Sequence, residues 1–125
     1  MKKAQLVLMV LCMGFLLVMS GCKQDTDSTY TVRYEITGPS TTASEIKYFN
    51  GTGINMDYLY DVSIPWDKTI TVSGSAKTGL SSGVLATFTN NDKNIYIGKI
   101  FVDGKEKASV NSKESFLTVT YTIRD

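Results

Sequence analysis

Apolar and polar residues alternate along most of the chain after residue 30, with a period of two residues. In the first such stretch the apolar positions are Tyr30, Val32, Tyr34 and Ile36. Successive side chains of a β-strand point to opposite faces, so this pattern predicts a strand with one buried and one solvated face. The 3.6-residue period of a helix does not appear in this part of the chain. The body of the protein is therefore predicted to be all-β.

Turn signals divide this body into seven or eight short strands. We predict strands at residues 30–37, 44–50, 56–64, 69–72, 84–89, 95–102, 105–110 and 117–123. Such strands, separated by regularly spaced turns, are typical of two packed antiparallel sheets. The predicted fold is an immunoglobulin-like antiparallel β-sandwich of about seven to eight strands.

Three local features complete the predicted strand map. Asp103-Gly104 is predicted as a two-residue hairpin turn, because both residues tolerate positive φ. The Gly/Ser-rich stretch 73–83 is predicted as a connection, and its Ser81-Ser82-Gly83 segment and Gly51-Thr52-Gly53 are both predicted as turns. In the third strand, the residues expected to share one face are Tyr58, Tyr60, Val62 and Ile64.

The first 22 residues follow a different pattern. Two lysines precede an apolar run from Leu6 to Met19, and Ser20-Gly21-Cys22 follows that run. This order is typical of a secretory signal, and the run is shorter than the roughly 20 apolar residues that a permanent span requires. The small residues before the cysteine resemble the lipobox of bacterial lipoproteins. We therefore predict removal of residues 1–21 and acylation of Cys22; the alternative is an uncleaved N-terminal helix with a chance cysteine.

The predicted organisation is a signal peptide at residues 1–21, a lipidated cysteine and polar linker at 22–29, and one β-sandwich domain at 30–125. Lys23 directly after the cysteine resembles an outer-membrane lipoprotein. We expect a protein anchored to the cell membrane by lipid, in the outer membrane, with its domain on the periplasmic or surface face.

The net charge and the amino-acid composition of the chain exclude several classes of function. The chain has 13 basic and 12 acidic residues, and loss of residues 1–21 with Lys2 and Lys3 leaves a formal charge of −1. A nearly neutral domain gives no reason to expect nucleic acid as a partner. There is no histidine, and Cys12 falls in the signal, so histidine-based catalysis, the usual zinc sites and a disulfide in the mature domain are not expected. We predict no enzyme activity, no cofactor and no metal.

Two features outside the signal stand out. Asp57 and Asp61 are four residues apart on one strand, about 13 Å by strand rise, which is too far to share a proton. Trp66 is the single tryptophan, and it either fills the sandwich core or joins an exposed aromatic contact surface. The residues of that candidate contact surface are Phe49, Tyr58, Tyr60 and Trp66.

Four motifs in order resemble the MmpS domain, found in small membrane-associated proteins known as transport accessory proteins. The motifs are Tyr34-Glu35-Ile36-Thr37-Gly38, Ile46-Lys47-Tyr48, Ile64-Pro65-Trp66 and Ile100-Phe101-Val102-Asp103-Gly104. The resemblance implies a β-sandwich that faces the periplasm and assists large lipid or siderophore exporters. Mycobacterial members of this family are held in the membrane by a transmembrane helix, whereas this chain resembles a lipoprotein. Many also carry a cysteine pair, and Gly98 stands where its first cysteine would fall.

The predicted lipid anchor and the resemblance to the MmpS domain together predict a non-catalytic lipoprotein of the cell envelope. It would serve as an accessory or interaction domain for a membrane transport or envelope complex. Its expected partners are the membrane, through the N-terminal lipid, and a protein of the envelope. The alternative is a lipid-anchored glycan-binding module, and an enzyme has the least support.

Overall fold

The computed structural model describes residues 27–39, 42–89 and 95–124, which contain eight β-strands. These are β1 (Ser28–Thr37), β2 (Thr42–Phe49), β3 (Met56–Ser63), β4 (Trp66–Gly74), β5 (Leu80–Thr87), β6 (Tyr96–Val102), β7 (Lys105–Ser112) and β8 (Phe116–Ile123). The first sheet has the order β4-β1-β6-β7 and the second has the order β3-β2-β5-β8. All neighbouring strands are antiparallel, so the predicted β-sandwich is confirmed. The predicted signal peptide and Cys22 lie outside the described residues.

Most connections cross between the two sheets. Only the hairpins β2–β3 and β6–β7 remain within one sheet. The β6–β7 turn is the one predicted from Asp103-Gly104, and both residues have positive φ, 50° and 81°. The turn predicted at residues 51–53 is also present, with positive φ at Gly51 and Gly53.

The core lies between the sheets and includes the apolar set that alternation predicts in β1. In β1 the alternate residues from Val32 to Ile36 are buried, while the residues between them reach the surface. The same alternation buries Ile46 and Tyr48 in β2. The largest fully buried apolar side chains are Tyr34, Tyr96, Ile36, Ile46, Ile100, Leu117, Val32, Val84 and Val119.

Tyr34 joins the two sheets by hydrogen bonds as well as by packing. The β2–β5 register ends at Tyr48 and Val84, so Phe49 and Gly83 would form the next pair. Instead, the Tyr34 hydroxyl donates to the carbonyl oxygen of Phe49 at 3.0 Å and accepts from the N–H of Gly83 at 3.2 Å. A side chain of the first sheet thus satisfies the backbone of the second. Burial raises the pKa of Tyr34 to about 12.

The turn predicted at Ser81-Ser82-Gly83 is wrong, because these residues lie within β5. Ser82 is buried, and its hydroxyl donates to the carbonyl oxygen of Tyr121 at 2.6 Å. A Cβ atom at Gly83 would lie 3.2 Å from the ring of Phe49, so a small residue suits this close approach. Tertiary packing therefore places turn-forming residues in a strand.

The prediction that Tyr58, Tyr60, Val62 and Ile64 share one face is also wrong. Tyr58 and Tyr60 are exposed, whereas Val62 packs against the core together with Leu59. Asp61 has φ 52°, which breaks the regular alternation of the strand between Tyr60 and Val62.

The fourth strand is longer than predicted. Its full length from Trp66 to Gly74 pairs with β1. Pro65, which lacks a backbone N–H to donate to a neighbouring strand, lies in the connection between β3 and β4.

Candidate functional site

The outer face of the second sheet carries exposed aromatic side chains on both of its edge strands. Tyr58 and Tyr60 on β3 are 52% and 66% exposed, and Phe116 on β8 is 54% exposed. Phe49 and Leu85 lie between them on the inner strands β2 and β5, and both are half-buried. We call this surface the aromatic face, and its residues are Phe49, Tyr58, Tyr60, Leu85 and Phe116.

Strand register explains how residues distant in sequence reach this one surface. Tyr60 pairs with Glu45, Glu45 pairs with Thr87, and Thr87 pairs with Phe116. These four residues therefore form one row across the sheet. Three strand spacings separate its ends, a distance of roughly 14 Å.

An ion pair lies in the middle of the aromatic face. The ammonium of Lys47 is 3.2 Å from a carboxylate oxygen of Glu45 and 5.4 Å from the centre of the Tyr58 ring. Cross-strand pairing places Lys47 opposite Tyr58, so the amine contacts both the carboxylate and the aromatic ring. The surface thus combines apolar area with two oriented charges.

Of the four residues predicted as a contact surface, the structure brings three together. Phe49, Tyr58 and Tyr60 belong to the aromatic face. Trp66 lies on the other sheet, is partly buried and packs against the core, with its ring centre 5.7 Å from that of Tyr48. Of the two placements predicted for Trp66, this position corresponds to the one in which its ring packs into the sandwich core.

Phe116 belongs to the aromatic face but was not among the predicted residues. The sequence does carry a signal, because Phe116 falls in the outward register of the last strand together with Thr118 and Thr120. It is the one aromatic residue in an otherwise threonine-rich set.

The outer face of the first sheet is different, because its aromatic residue is covered. The Arg33 guanidinium lies 4.0 Å from the centre of the Phe101 ring and forms an ion pair with Glu35 at 2.6 Å. Arg33 and the Phe101 ring therefore already have interaction partners within the domain. Three of the exposed large hydrophobic side chains in the described residues, Tyr58, Tyr60 and Phe116, lie on the aromatic face.

The two aspartates of β3 have separate surroundings. Asp57 accepts hydrogen bonds from the Tyr48 hydroxyl at 3.3 Å and from the side-chain amide of Asn50 at 3.0 Å, while Asp61 is exposed. Burial, followed by the charge and hydrogen bond of Asp57, raises the pKa of Tyr48. Within the described ranges, no three potential metal-ligating side chains come together.

Fold and surface together define a small all-β sandwich domain with an exposed aromatic sheet face. A profile of the family described as Mycobacterium membrane protein matches residues 18–123. The chain belongs to this family, the MmpS family, and the resemblance found in its motifs is confirmed. A search of curated proteins finds no match.

Family membership makes the protein one of a membrane-associated group with an accessory role in mycobacterial transport. The family is generally non-enzymatic. In the part of the chain that the structure covers, no helix has the length and apolar character to cross a bilayer.

Proposed function

We propose that the protein is a non-catalytic lipoprotein of the cell envelope whose domain binds a membrane transport protein as an accessory component. Family membership supports the membrane association and the accessory role. The sequence pattern that ends at Cys22 supports the lipid anchor. An outer-membrane location, with the domain on the periplasmic or surface face, is part of the same proposal and rests on Lys23.

The exposure of the aromatic face is the observation that best supports a role in binding a protein. Tyr58, Tyr60 and Phe116 each keep more than half of their surface in water. Docking against a partner removes this apolar area from water, at about 25 cal/mol per Å² buried. Aromatic residues are enriched in protein interfaces for this reason.

The shape of the aromatic face favours a protein over a small molecule. Small-molecule sites are concave and enclose most of their ligand. The row from Tyr60 to Phe116 instead follows the surface of a sheet, with the Lys47–Glu45 pair between its ends. A broad surface of this kind fits a complementary protein surface, and the two charges orient the partner.

Crosslinking in intact cells tests the proposal. The tagged full chain is purified after crosslinking, and its partners are identified by mass spectrometry. Wild type is expected to recover an integral membrane transport protein, and Tyr58→Thr/Tyr60→Thr is expected to recover several-fold less. Threonine retains the preference for strands, so the sheet is preserved.

The matched control is Thr69→Ala/Thr71→Ala, which changes exposed residues on the outer side of the first sheet. It is expected to recover the partner as wild type does. Equal recovery by the tyrosine variant would count against the aromatic face. Recovery of no transport protein by wild type at native expression would count against the accessory role itself.

The exposed rings of Tyr58 and Tyr60 also favour a second candidate, a lipid-anchored glycan-binding module, because aromatic rings can stack on sugars. A carbohydrate array separates the two functions. Retention of a defined glycan by wild type, but not by the tyrosine variant, would support this alternative. An array without any bound glycan would remove it.

A further inference from the structure

A second surface lies beside the neighbouring edges of the two sheets, where β7 and β8 approach each other. A cleft of about 240 Å³ opens there. Its apolar lining comes from buried Val102 and Ile123 and from the half-buried rings of Tyr30 and Tyr121. These residues come from β1, β6 and β8, so the cleft exists only in the folded domain.

Three residues with cationic side chains border the same cleft. They are Lys105, Lys107 and Arg124, and none forms an ion pair with a residue in the described ranges. The carboxylate in the lining is Asp103, whose Oδ1 already accepts the N–H of Thr31 at 2.9 Å. By contrast, cations on the outer sheet faces pair with glutamates, Arg33 with Glu35, Lys47 with Glu45 and Lys99 with Glu106.

Local backbone structure places these cations together. The two-residue turn at Asp103-Gly104 sets Lys105 opposite Val102 at the start of β7. The register then shifts by one residue opposite Phe101, and Lys107 is the residue left without a cross-strand partner. Such bulges re-aim side chains at sheet edges. Arg124 follows β8 and borders the cleft, but its guanidinium lies beside Gly79, so the two lysines supply the positive charge of the cleft.

We propose that this cleft binds a phosphate group. Like charges that line one cavity repel each other, and a bound anion removes that repulsion. Lysine suits phosphate, because its ammonium group is a compact point charge with three hydrogen-bond donors. The volume lies just below the range of drug-sized ligand pockets, so it fits a phosphate with a small attached body.

The position of the cleft identifies a nearby source of phosphate, and this step rests on the proposed function. Tyr30 is the third residue of β1, so the chain that precedes Ser28 enters the domain beside the cleft. Ser28 is the sixth residue after Cys22, which limits the distance between these two residues to roughly 20 Å. In a lipid-anchored protein the cleft is then held near the phosphate groups of the bilayer.

The test is a titration of the full chain, labelled with ¹⁵N and held in micelles of a non-ionic detergent. Three probes are compared at constant ionic strength: inorganic phosphate, mixed micelles with phosphatidylglycerol, and mixed micelles with phosphatidylcholine. Saturable shifts are expected at the amides of Tyr30, Lys105, Lys107 and Arg124. Saturation by inorganic phosphate assigns the site to free phosphate, and saturation only by phosphatidylglycerol assigns it to a lipid headgroup. Either result supports the cleft.

Charge reversal provides the specificity control. Lys105→Glu/Lys107→Glu is expected to weaken binding about tenfold or more, because two ammonium groups that attract the anion are replaced by carboxylates that repel it. Lys68→Glu/Lys113→Glu changes the net charge equally at exposed positions outside the cleft and is expected to bind within about twofold of wild type.

Equal weakening in both variants, shifts spread over the whole surface, or no saturable shift with any probe would overturn the phosphate site. The inorganic phosphate titration needs neither the lipid anchor nor a protein partner. A failure here therefore leaves the accessory role standing, and loss of that role leaves this result unaffected.

Discussion

Replacing Tyr34 with phenylalanine removes one hydroxyl from the interior and leaves the ring in place. That hydroxyl donates to the carbonyl oxygen of Phe49 and accepts from the N–H of Gly83. Tyr34 itself has no exposed surface. Because phenylalanine replaces neither hydrogen bond, Tyr34→Phe leaves a carbonyl and an amide without their partner at the junction of the two sheets.

The expected loss of stability at pH 7 follows from these two groups. Each buried polar group left without a partner costs about 1–3 kcal/mol, and part of this is offset because a hydroxyl is no longer buried. The free energy of unfolding is therefore expected to fall by about 2–4 kcal/mol. Domains of this size have about 5–15 kcal/mol in total, so the variant should fold with a clearly lower urea midpoint.

The pH dependence of the free energy of unfolding provides a second, independent test of this role of Tyr34. Burial raises the pKa of Tyr34 from 10.0 to about 12, so the folded state holds this proton more tightly than the unfolded state. The stabilisation is fully present below pH 10 and is lost as the pH rises through 12. At about 1.4 kcal/mol per pKa unit, wild type should lose about 3 kcal/mol relative to the variant, about half of it by pH 11.

The assay is urea unfolding of the full chain in a non-ionic detergent, followed by Trp66 fluorescence at pH 7, 9, 10 and 11. The difference between wild type and Tyr34→Phe cancels the titration of groups that both proteins share. Tyr60→Phe, which changes an exposed tyrosine, is the matched control and should stay within about 0.5 kcal/mol of wild type. A difference that is near zero at pH 7, or that does not shrink between pH 9 and 11, would refute the bridging role of Tyr34.

Three further predictions address the core, the hairpin and the anchor. Gly98→Ala would place a Cβ atom against Leu117, and its overpacking should lower the free energy of unfolding by about 1–3 kcal/mol in the same urea assay; an unchanged midpoint would contradict this packing. Gly104→Ala meets no atom within 4 Å but keeps φ at 81°, so it should lose about 1 kcal/mol from backbone strain alone, and a stabilised variant would contradict the turn. Mass spectrometry of protein extracted from membranes should find an acylated N-terminus at Cys22; an intact Met1 with unmodified Cys22 would show that the anchor is wrong.

The parts of the fold that local patterns determine could be predicted from sequence. In β1 the alternation of apolar and polar residues is uninterrupted, so the face that this strand buries can be predicted from the sequence alone. The β6–β7 hairpin followed from Asp103-Gly104, because few residue pairs adopt two successive positive φ angles.

The errors arise where tertiary contacts override local preference. Ser82 and Gly83 have the composition of a turn, yet a hydrogen bond to Tyr121 and the close approach of Phe49 hold them in β5. In β3 the positive φ of Asp61 interrupts the alternation, and a periodic pattern cannot anticipate that break. These contacts join residues dozens of positions apart.

The two candidate surfaces differ in how far sequence could reveal them. Three residues of the aromatic face were predicted, because Phe49, Tyr58 and Tyr60 occur close together in sequence. Phe116 joins them only through the pairing of four strands. The cationic cleft combines Tyr30 with residues beyond position 100, so it depends on topology that a sequence pattern does not specify.

A photoreactive amino acid placed at Tyr60 and, separately, at Thr71 of the full chain in living cells shows directly which sheet face contacts the partner. Both positions are exposed, but they lie on the outer faces of opposite sheets. We expect a crosslink to a membrane transport protein from position 60 and none to that protein from position 71. Crosslinks of equal yield from both positions, or from position 71 alone, would contradict the aromatic face as the surface that binds the partner.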